Sequence, residues 1–367
     1  MTRPTVAVAV SGHGFGHAVR AAEVARALLE RGARVLLRTD APGWLFPPEA
    51  KLLASPGWPL DVGVVQRDGL DMDIDATRIA WRGFSRDFER RAEVEAHLLR
   101  DVDVVVGDIP PLAFAAAAKA EVPSFAMTNF TWDWIYAAWP DFEDIVARIR
   151  SSYADAQALL RLPLHSDDPE AFSAFSRIRD VPLIARHATS DRDAVRRAYG
   201  LPSKAPVVLL SFGGFTANGL QLGRLGRWRQ YVFVLTPPIA TEAHDMADNV
   251  RMLNPPAAEY VSLLAACDVV VTKPGYGIVA DCLANRVAVL FTDRGPFREY
   301  DVLADALLHL GRARYIARED VLAGELGPDL DALLELRMPW IEQATNGAEV
   351  VADLLLQSVT MDFEKMS

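Results

Sequence analysis

Short, unbroken apolar runs recur along the chain, each followed by a polar, glycine-rich segment and then by residues with helical spacing. Residues 6–10 form the first run, all apolar, which predicts a strand of a parallel sheet buried on both faces. Beyond the loop 11–17, residues 18–31 carry charges at Arg20, Glu23, Arg26 and Glu30. Steps of three, three and four place these charges on one helical face, and Gly32 reads as the residue that ends the helix. Residues 35–38 predict the next strand, which closes at Thr39 and Asp40.

The same alternation continues. Strands are predicted over 102–106 and 123–127, with an alanine-rich helix over 112–120 between them. A second cycle begins with a strand over 206–210, and continues with a strand over 268–271, a helix over 278–284 and a strand over 287–291. Residues 57–75 are polar, acidic and rich in glycine, and predict a loop with weak strands. No period of 20–50 residues repeats, which argues against a solenoid. The pattern predicts two doubly wound halves joined near residues 181–191. The expected domains are 1–185 and 186–345, followed by a final helix within 346–367, centred on 348–359. That helix either stays on the second half or packs back on the first.

Composition narrows the function. The chain has 367 residues, 51% hydrophobic and 24% charged, enough apolar surface for buried cores. Its formal net charge of −11 disfavours polyanionic partners such as nucleic acid. The longest uncharged stretch, 205–223, is broken by Pro206 and four glycines, and so predicts no membrane span. A five-residue apolar run at the amino terminus is too short for a signal peptide. Cys267 and Cys282 give neither a disulfide framework nor a metal-ligand pattern. These features predict a soluble, reduced, cytoplasmic protein.

Ligands of open parallel sheets bind beyond the carboxyl ends of the strands. Four polar loops stand at such ends, 11–17, 107–111, 211–214 and 272–277, two in each half. In the first, Gly12 and Gly14 open a dinucleotide-type pattern, and Asp40 lies where a ribose-binding acid would stand. His17 replaces the third glycine, which normally lets helix and strand pack closely, and so weakens that assignment. His17 at the start of a helix is placed to act as a general base, with Asp108 orienting its ring. The alternative is that both only cap helices; the four-loop context favours the base. His13 shapes the loop or touches an acceptor, whereas histidines 97, 165, 187, 244 and 309 form no pattern.

The second-half loops suit a diphosphate. Ser211, Gly213 and Gly214 offer a hydroxyl and approachable backbone N–H groups. Gly275, Tyr276 and Gly277 open a helix whose amino terminus favours an anion. Lys273 adds charge unless it is merely solvated, and Asp281 stands one turn on, suited to ribose hydroxyls. Other chemistries lack their motifs: there is no phosphate-binding P-loop signature and no nucleophile elbow. Asp71, Asp73 and Asp75 alternate like a calcium loop, but Ala76 and Arg82 occupy the positions that need glycine and glutamate. Glycines between His13 and His17 make a zinc-binding helix improbable.

Together these residues resemble the GT-B glycosyltransferases. The first loop and residues 275–281 are similar to those of the N-acetylglucosaminyltransferases that form lipid II. Residues 11–18, 128–136, 212–214 and 275–277 resemble the glycosyltransferase-like amino-terminal region of plant L-arabinokinases, and that resemblance covers nearly the whole chain. It implies two Rossmann-like, doubly wound parallel-sheet domains facing a cleft, with the acceptor on the first and a nucleotide sugar on the second. By resemblance, His17 is the catalytic base and Asp108 its orienting acid. Gly213, Gly214, Gly275 and Gly277 match the family's donor diphosphate loops, and Ser211, Lys273 and Tyr276 beside them complete the expected donor-binding set. Asp281 stands where the family carries a glutamate at the donor ribose. Glu299, flanked by Arg294 and Arg298, falls where related enzymes touch the donor sugar.

His13, Phe15, Asn129, Trp132 and Asp133 are the expected acceptor-binding residues. The aromatic string of Trp132, Trp134 and Tyr136 with Asp133 suits stacking on a sugar, and equally suits filling a core. The implied reaction is direct displacement with inversion, without metal or cofactor, from a UDP- or dTDP-linked sugar to a hydroxyl of a small molecule or glycan. Two alternatives stand beside it: a catalytically silent nucleotide-sugar-binding module, and a nucleotide-sugar epimerase or hydrolase.

Overall fold

The computed structural model describes residues 3–212, 219–237 and 246–361. It divides into two compact units, one of Met1–Val65, Asp73–Ala185 and Ala344–Ser367, the other of Gln66–Met72 and Arg186–Gln343.

In the first unit, β1 (Thr5–Val10), β2 (Arg34–Arg38), β3 (Lys51–Leu52), β4 (Val104–Asp108), β5 (Ser124–Thr128), β6 (Ala158–Arg161) and β7 (Ile178–Asp180) form one sheet. Among the described residues its order is β3-β2-β1-β4-β5-β6-β7, with every pairing parallel. All six residues of β1 are buried, as expected for a strand covered on both faces. The strand order reverses between β1 and β4, and Val10 lies opposite Asp108 there. The loops that follow these two strands therefore leave the sheet side by side, at the switch point where such sheets bind ligands.

Helices α1 (Gly14–Glu30), α2 (Ile74–Ser85), α3 (Phe88–Leu98), α4 (Pro111–Lys119), α5 (Trp132–Tyr136) and α6 (Glu143–Ala154) accompany this sheet. Gly32 follows α1 at φ +83°, the left-handed conformation that ends helices. Helix α1 starts a turn earlier than its charge pattern predicts, because Gly14, Phe15 and Gly16 are already helical. The predicted charged face also needs correcting. Glu23, Arg26 and Glu30 are at least partly exposed, but Arg20 is only 2% exposed and faces the interior.

The second unit repeats the winding with β8 (Val207–Leu210), β9 (Val232–Leu235), β10 (Val250–Met252), β11 (Val269–Thr272), β12 (Ala288–Phe291) and β13 (Ala313–Tyr315). Their order is β10-β9-β8-β11-β12-β13, again parallel throughout, with the reversal between β8 and β11. Helices α7 (Arg192–Ala198), α8 (Tyr260–Ala266), α9 (Tyr276–Ala284), α10 (Glu299–Leu310), α11 (Arg318–Ala323) and α12 (Gly327–Glu335) accompany this sheet.

Two segments depart from a simple division in chain order. Residues 66–72, expected as loop, close on themselves through a bridge between Gln66 and Met72 and belong to the second unit. Leu70 enters its apolar core beside Phe212 and Leu290, and its carbonyl accepts from Arg318 Nη1 at 3.2 Å. The final helix, α13 (Gly347–Thr360), belongs to the first unit. There Arg31 Nε donates to Asp353 at 2.5 Å, and the Gly347 N–H donates to the Leu183 carbonyl at 3.1 Å. A Cβ on Gly347 would lie 2.1 Å from the Pro182 carbonyl oxygen, so only glycine fits this approach.

Candidate active site

The centre of the first unit is built on the adjacent ends of β1 and β4. His17 is the fourth residue of α1, at the end of its first turn, and is 5% exposed. Its Nδ1 stands 2.8 Å from Asp108 Oδ1, and an Nδ1–H donated there leaves Nε2 as the basic nitrogen. Among the described residues Nε2 has no hydrogen-bond partner. The ring is walled edge-on by Phe130 at 5.6 Å and, at a tilt of 41°, by Trp132 at 6.0 Å between centroids.

Arg20, one turn beyond His17, donates from Nε to Asp108 Oδ2 at 2.5 Å and from Nη2 to Oδ1 at 2.6 Å. Its Nη1 donates to Asn129 Oδ1 at 2.7 Å. Burial alone would push the Asp108 carboxyl up, but Arg20 and His17 outweigh it and hold the group below its ordinary value. Ile109, next in the chain, is fully buried at φ +47°, an uncommon conformation for a β-branched residue. Backbone strain directly beside Asp108 fits a rigidly preorganised centre.

A second carboxylate lies in the same interior. Asp61 is 3% exposed and accepts from Ser11 Oγ and from Trp132 Nε1, both at 3.0 Å. Burial, against these two hydrogen bonds, pushes its carboxyl up to about 6. The same segment clasps the loop after β1: the Val64 N–H donates to His13 Nδ1 at 3.2 Å, and Tyr136 Oη donates to the Gly63 carbonyl. Gly63 has φ +58°, and a Cβ there would sit 2.5 Å from His13 Cβ, so this contact requires glycine.

The expected acceptor residues therefore separate. His13 shapes the loop through Val64 and an edge-on contact with Trp132 at 5.4 Å. Phe15 is half-buried, with its ring 5.5 Å from that of Trp44, which is 60% exposed. Asn129, Trp132 and Asp133 are each at most 1% exposed and spend polar atoms on Arg20, Asp61 and Arg150. Trp132 also stacks on Tyr136 at 5.5 Å. The string is thus buried, and its polar contacts run to Asp61 and Arg150 inside the unit.

In the second unit, the ends of β8 and β11 carry Ser211 and residues 273–277. Ser211 Oγ shares a hydrogen bond of 2.7 Å with Tyr260 Oη. Gly213 and Gly214, expected at the diphosphate, lie outside the described residues, as does His244. Gly275 caps α9 without a side-chain hydrogen bond, and Tyr276 and Gly277 form its first turn. Open space lies where a Gly275 Cβ would stand.

Two buried cations accompany this helix start. Lys273 and Arg294 are each 7% exposed. Burial pushes the Lys273 ammonium well below its ordinary value and Arg294 adds to this, while Asp68 and Glu299 oppose it. Arg294 packs 4.0 Å over the Phe297 ring, stands 3.6 Å from Glu299, and keeps a buried Nε without a hydrogen-bond partner. Glu299 is buried in the first turn of α10. Asp281, expected at a ribose, is 1% exposed and accepts from the Arg186 backbone N–H at 2.9 Å and from its guanidinium at 2.5 and 3.0 Å. Its carboxylate ties Arg186 to α9, and Arg186 in turn lies 5.3 Å over the Tyr260 ring.

Arg20, Asp61 and Arg186 are the site residues that sequence reasoning missed. Arg20 had a signal, since its spacing from His17 puts the two on one helical face. Asp61 and Arg186 had none, being isolated residues in irregular segments.

Two parallel, doubly wound α/β units with ligand-type loops at their switch points are the GT-B glycosyltransferase fold. Solved structures agree: the glycotransferase of kitacinnamycin has a TM-score of 0.62 and 18% identity, covering 97% of this chain and 99% of that one. UGT89C1 of Arabidopsis thaliana, solved with quercetin, has a TM-score of 0.62 and 17% identity, covering 98% and 96%. The same plant protein has been solved with UDP-L-rhamnose. In sequence, the chain is similar to L-arabinokinase of Arabidopsis thaliana, 32% identical over 364 residues, which is 95% of this chain and 34% of that protein. An uncharacterized glycosyltransferase of Methanopyrus kandleri is 23% identical over 172 residues, 45% of this chain and 50% of its own length. The chain thus spans between a third and a half of the curated relatives it matches. No family model matches.

Proposed function

We propose that the protein is an inverting glycosyltransferase that moves a sugar from a nucleoside-diphosphate donor to a hydroxyl of a small molecule or glycan. The observation that carries this reading is the His17–Asp108 pair at 2.8 Å, with Nε2 free of partners among the described residues. His17 Nε2 takes the proton of the acceptor hydroxyl, whose oxygen attacks the anomeric carbon as the bond to the diphosphate breaks. Asp108, kept anionic by Arg20, fixes the tautomer and stabilises the imidazolium. In the second unit, the start of α9, Lys273 and Arg294 take up charge on the leaving diphosphate. Ser211, Gly213, Gly214, Gly275, Tyr276 and Gly277 contribute backbone and hydroxyl groups, and Glu299 stands at the donor sugar. The donor is UDP- or dTDP-linked, and the structural relative UGT89C1, solved with UDP-L-rhamnose, supports the first of these.

The test is nucleotide release from a panel of UDP- and dTDP-sugars, with and without acceptor mixtures. Release that depends on acceptor is the expected result. Release without acceptor would make the protein a hydrolase, and binding without turnover would make it a silent module.

A further inference from the structure

Asp108 is not the only carboxylate in the interior around His17, and it is the one whose charge is already balanced. Arg20 covers both of its oxygens, at 2.5 and 2.6 Å, and its Nη2 also stands 3.1 Å from His17 Nδ1, so a cation already offsets this carboxylate beside the imidazole. Asp61 differs. Among the described residues its oxygens accept only from the neutral Ser11 hydroxyl and the Trp132 indole N–H. No arginine, lysine or histidine nitrogen lies within 4.0 Å of it among the described residues.

We propose that Asp61 is a positioning residue of the His17 centre. It anchors the Trp132 ring against the imidazole, and it supplies the uncompensated negative charge that stabilises His17 when it takes up a proton. The proposal rests on the reading of His17 as the base.

Three observations support it. Trp132 is shared, since its Nε1 donates to Asp61 while its ring lies 6.0 Å from that of His17. Ser11 is shared as well, because its Oγ donates to Asp61 and accepts from the His13 N–H at 3.2 Å, at the cap of the helix that carries His17. Finally, the charges are linked: His17 favours the ionised form of Asp61, and Asp108 opposes it. The other titratable groups facing Asp61 are Tyr136 and Tyr153, both pushed well above their ordinary values by burial and so neutral. His13 accepts from a backbone N–H at Nδ1 and serves the loop. Burial of an ionised carboxylate without a cation is unfavourable, and such a group near a base points to function.

The experiment is a 13C NMR titration of aspartate carboxyls in the whole protein, with the Asp61 signal assigned by its loss in Asp61→Asn. The wild-type midpoint is expected near 6. His17→Gln removes the favourable charge, so the midpoint should rise by about half a pH unit, roughly a threefold change in proton affinity. Ser11→Ala, a mild change, should also raise it by removing one donor. An Asp61 midpoint that does not move in His17→Gln overturns the proposal. This readout needs no substrate. Coupling without sugar transfer would keep Asp61 in its place and defeat only the proposed reaction, and transfer without coupling would do the reverse. In an active protein, Asp61→Asn should lower kcat about tenfold, change the pH profile and leave the donor KM unchanged.

Discussion

Arg20 holds Asp108 by both oxygens, and the same guanidinium reaches Asn129 at 2.7 Å, so one buried cation joins α1, β4 and the segment after β5. Removing one partner of a buried ion pair leaves the other charge uncompensated. Arg20→Met is therefore expected to cost about 3–5 kcal/mol of stability, read as a fall in melting temperature. An unchanged melting temperature would mean that Asp108 finds compensation elsewhere.

His17→Ala should lower turnover by roughly 10²–10⁴ while sparing nucleotide binding, because the base acts only in the chemical step. Calorimetric affinity for the nucleotide, measured beside initial rates, separates the two effects. Equal losses in both would assign His17 to binding.

Lys273 yields a pH prediction with a definite sign. Its ammonium is pushed well down by burial, and a bound diphosphate favours the charged form. Nucleotide binding should thus take up a proton, and affinity should fall as pH rises through the depressed value. Calorimetry in buffers of different ionisation heat measures that proton. Lys273→Met should abolish the uptake and weaken binding roughly tenfold to a hundredfold.

The Asp61 carboxyl, near 6 in the fold against 3.8 ordinarily, makes a separate statement about stability. A raised carboxyl penalises the fold where it is ionised: the cost is absent below pH 3.8, grows above it and is full above about 6. Its size is on the order of 3 kcal/mol. Asp61→Asn should raise the melting temperature relative to wild type at pH 8, and the gain should fade toward pH 4. A pH-independent gain contradicts this account.

Gly63→Ala tests the clasp on the loop after β1. Both its φ of +58° and the 2.5 Å approach to His13 Cβ oppose a side chain. A loss of about 1–3 kcal/mol is expected. Gly57, at φ +100° with nothing within 4 Å, should lose less on the same change, because only its backbone objects. Equal melting temperatures for the two variants would exclude the steric part.

Much of the fold was legible because a parallel sheet requires unbroken apolar strands. The predicted strands over 6–10, 35–38, 206–210 and 287–291 are found within a residue of their expected ends as β1, β2, β8 and β12. The short strands β7 and β10 carry Arg179 and Arg251 and lie at sheet edges, so they lack that signature. The pairing of His17 with Asp108 was legible too, since both stand at strand ends of one half. Arg20 was hidden by its charge, which reads as solvent-facing until a buried carboxylate is placed against it.

By itself, the sequence determined two doubly wound units and the loops at their strand ends, because local periodicity encodes what one strand or helix can bury. Tertiary structure decided how those residues are used. It turned Asp281 toward Arg186, buried Trp132 and Asp133, and brought Asp61 from a featureless loop into His17's surroundings. These outcomes depend on which distant group supplies the compensating charge or hydrogen bond, and chain spacing carries no information about that partner.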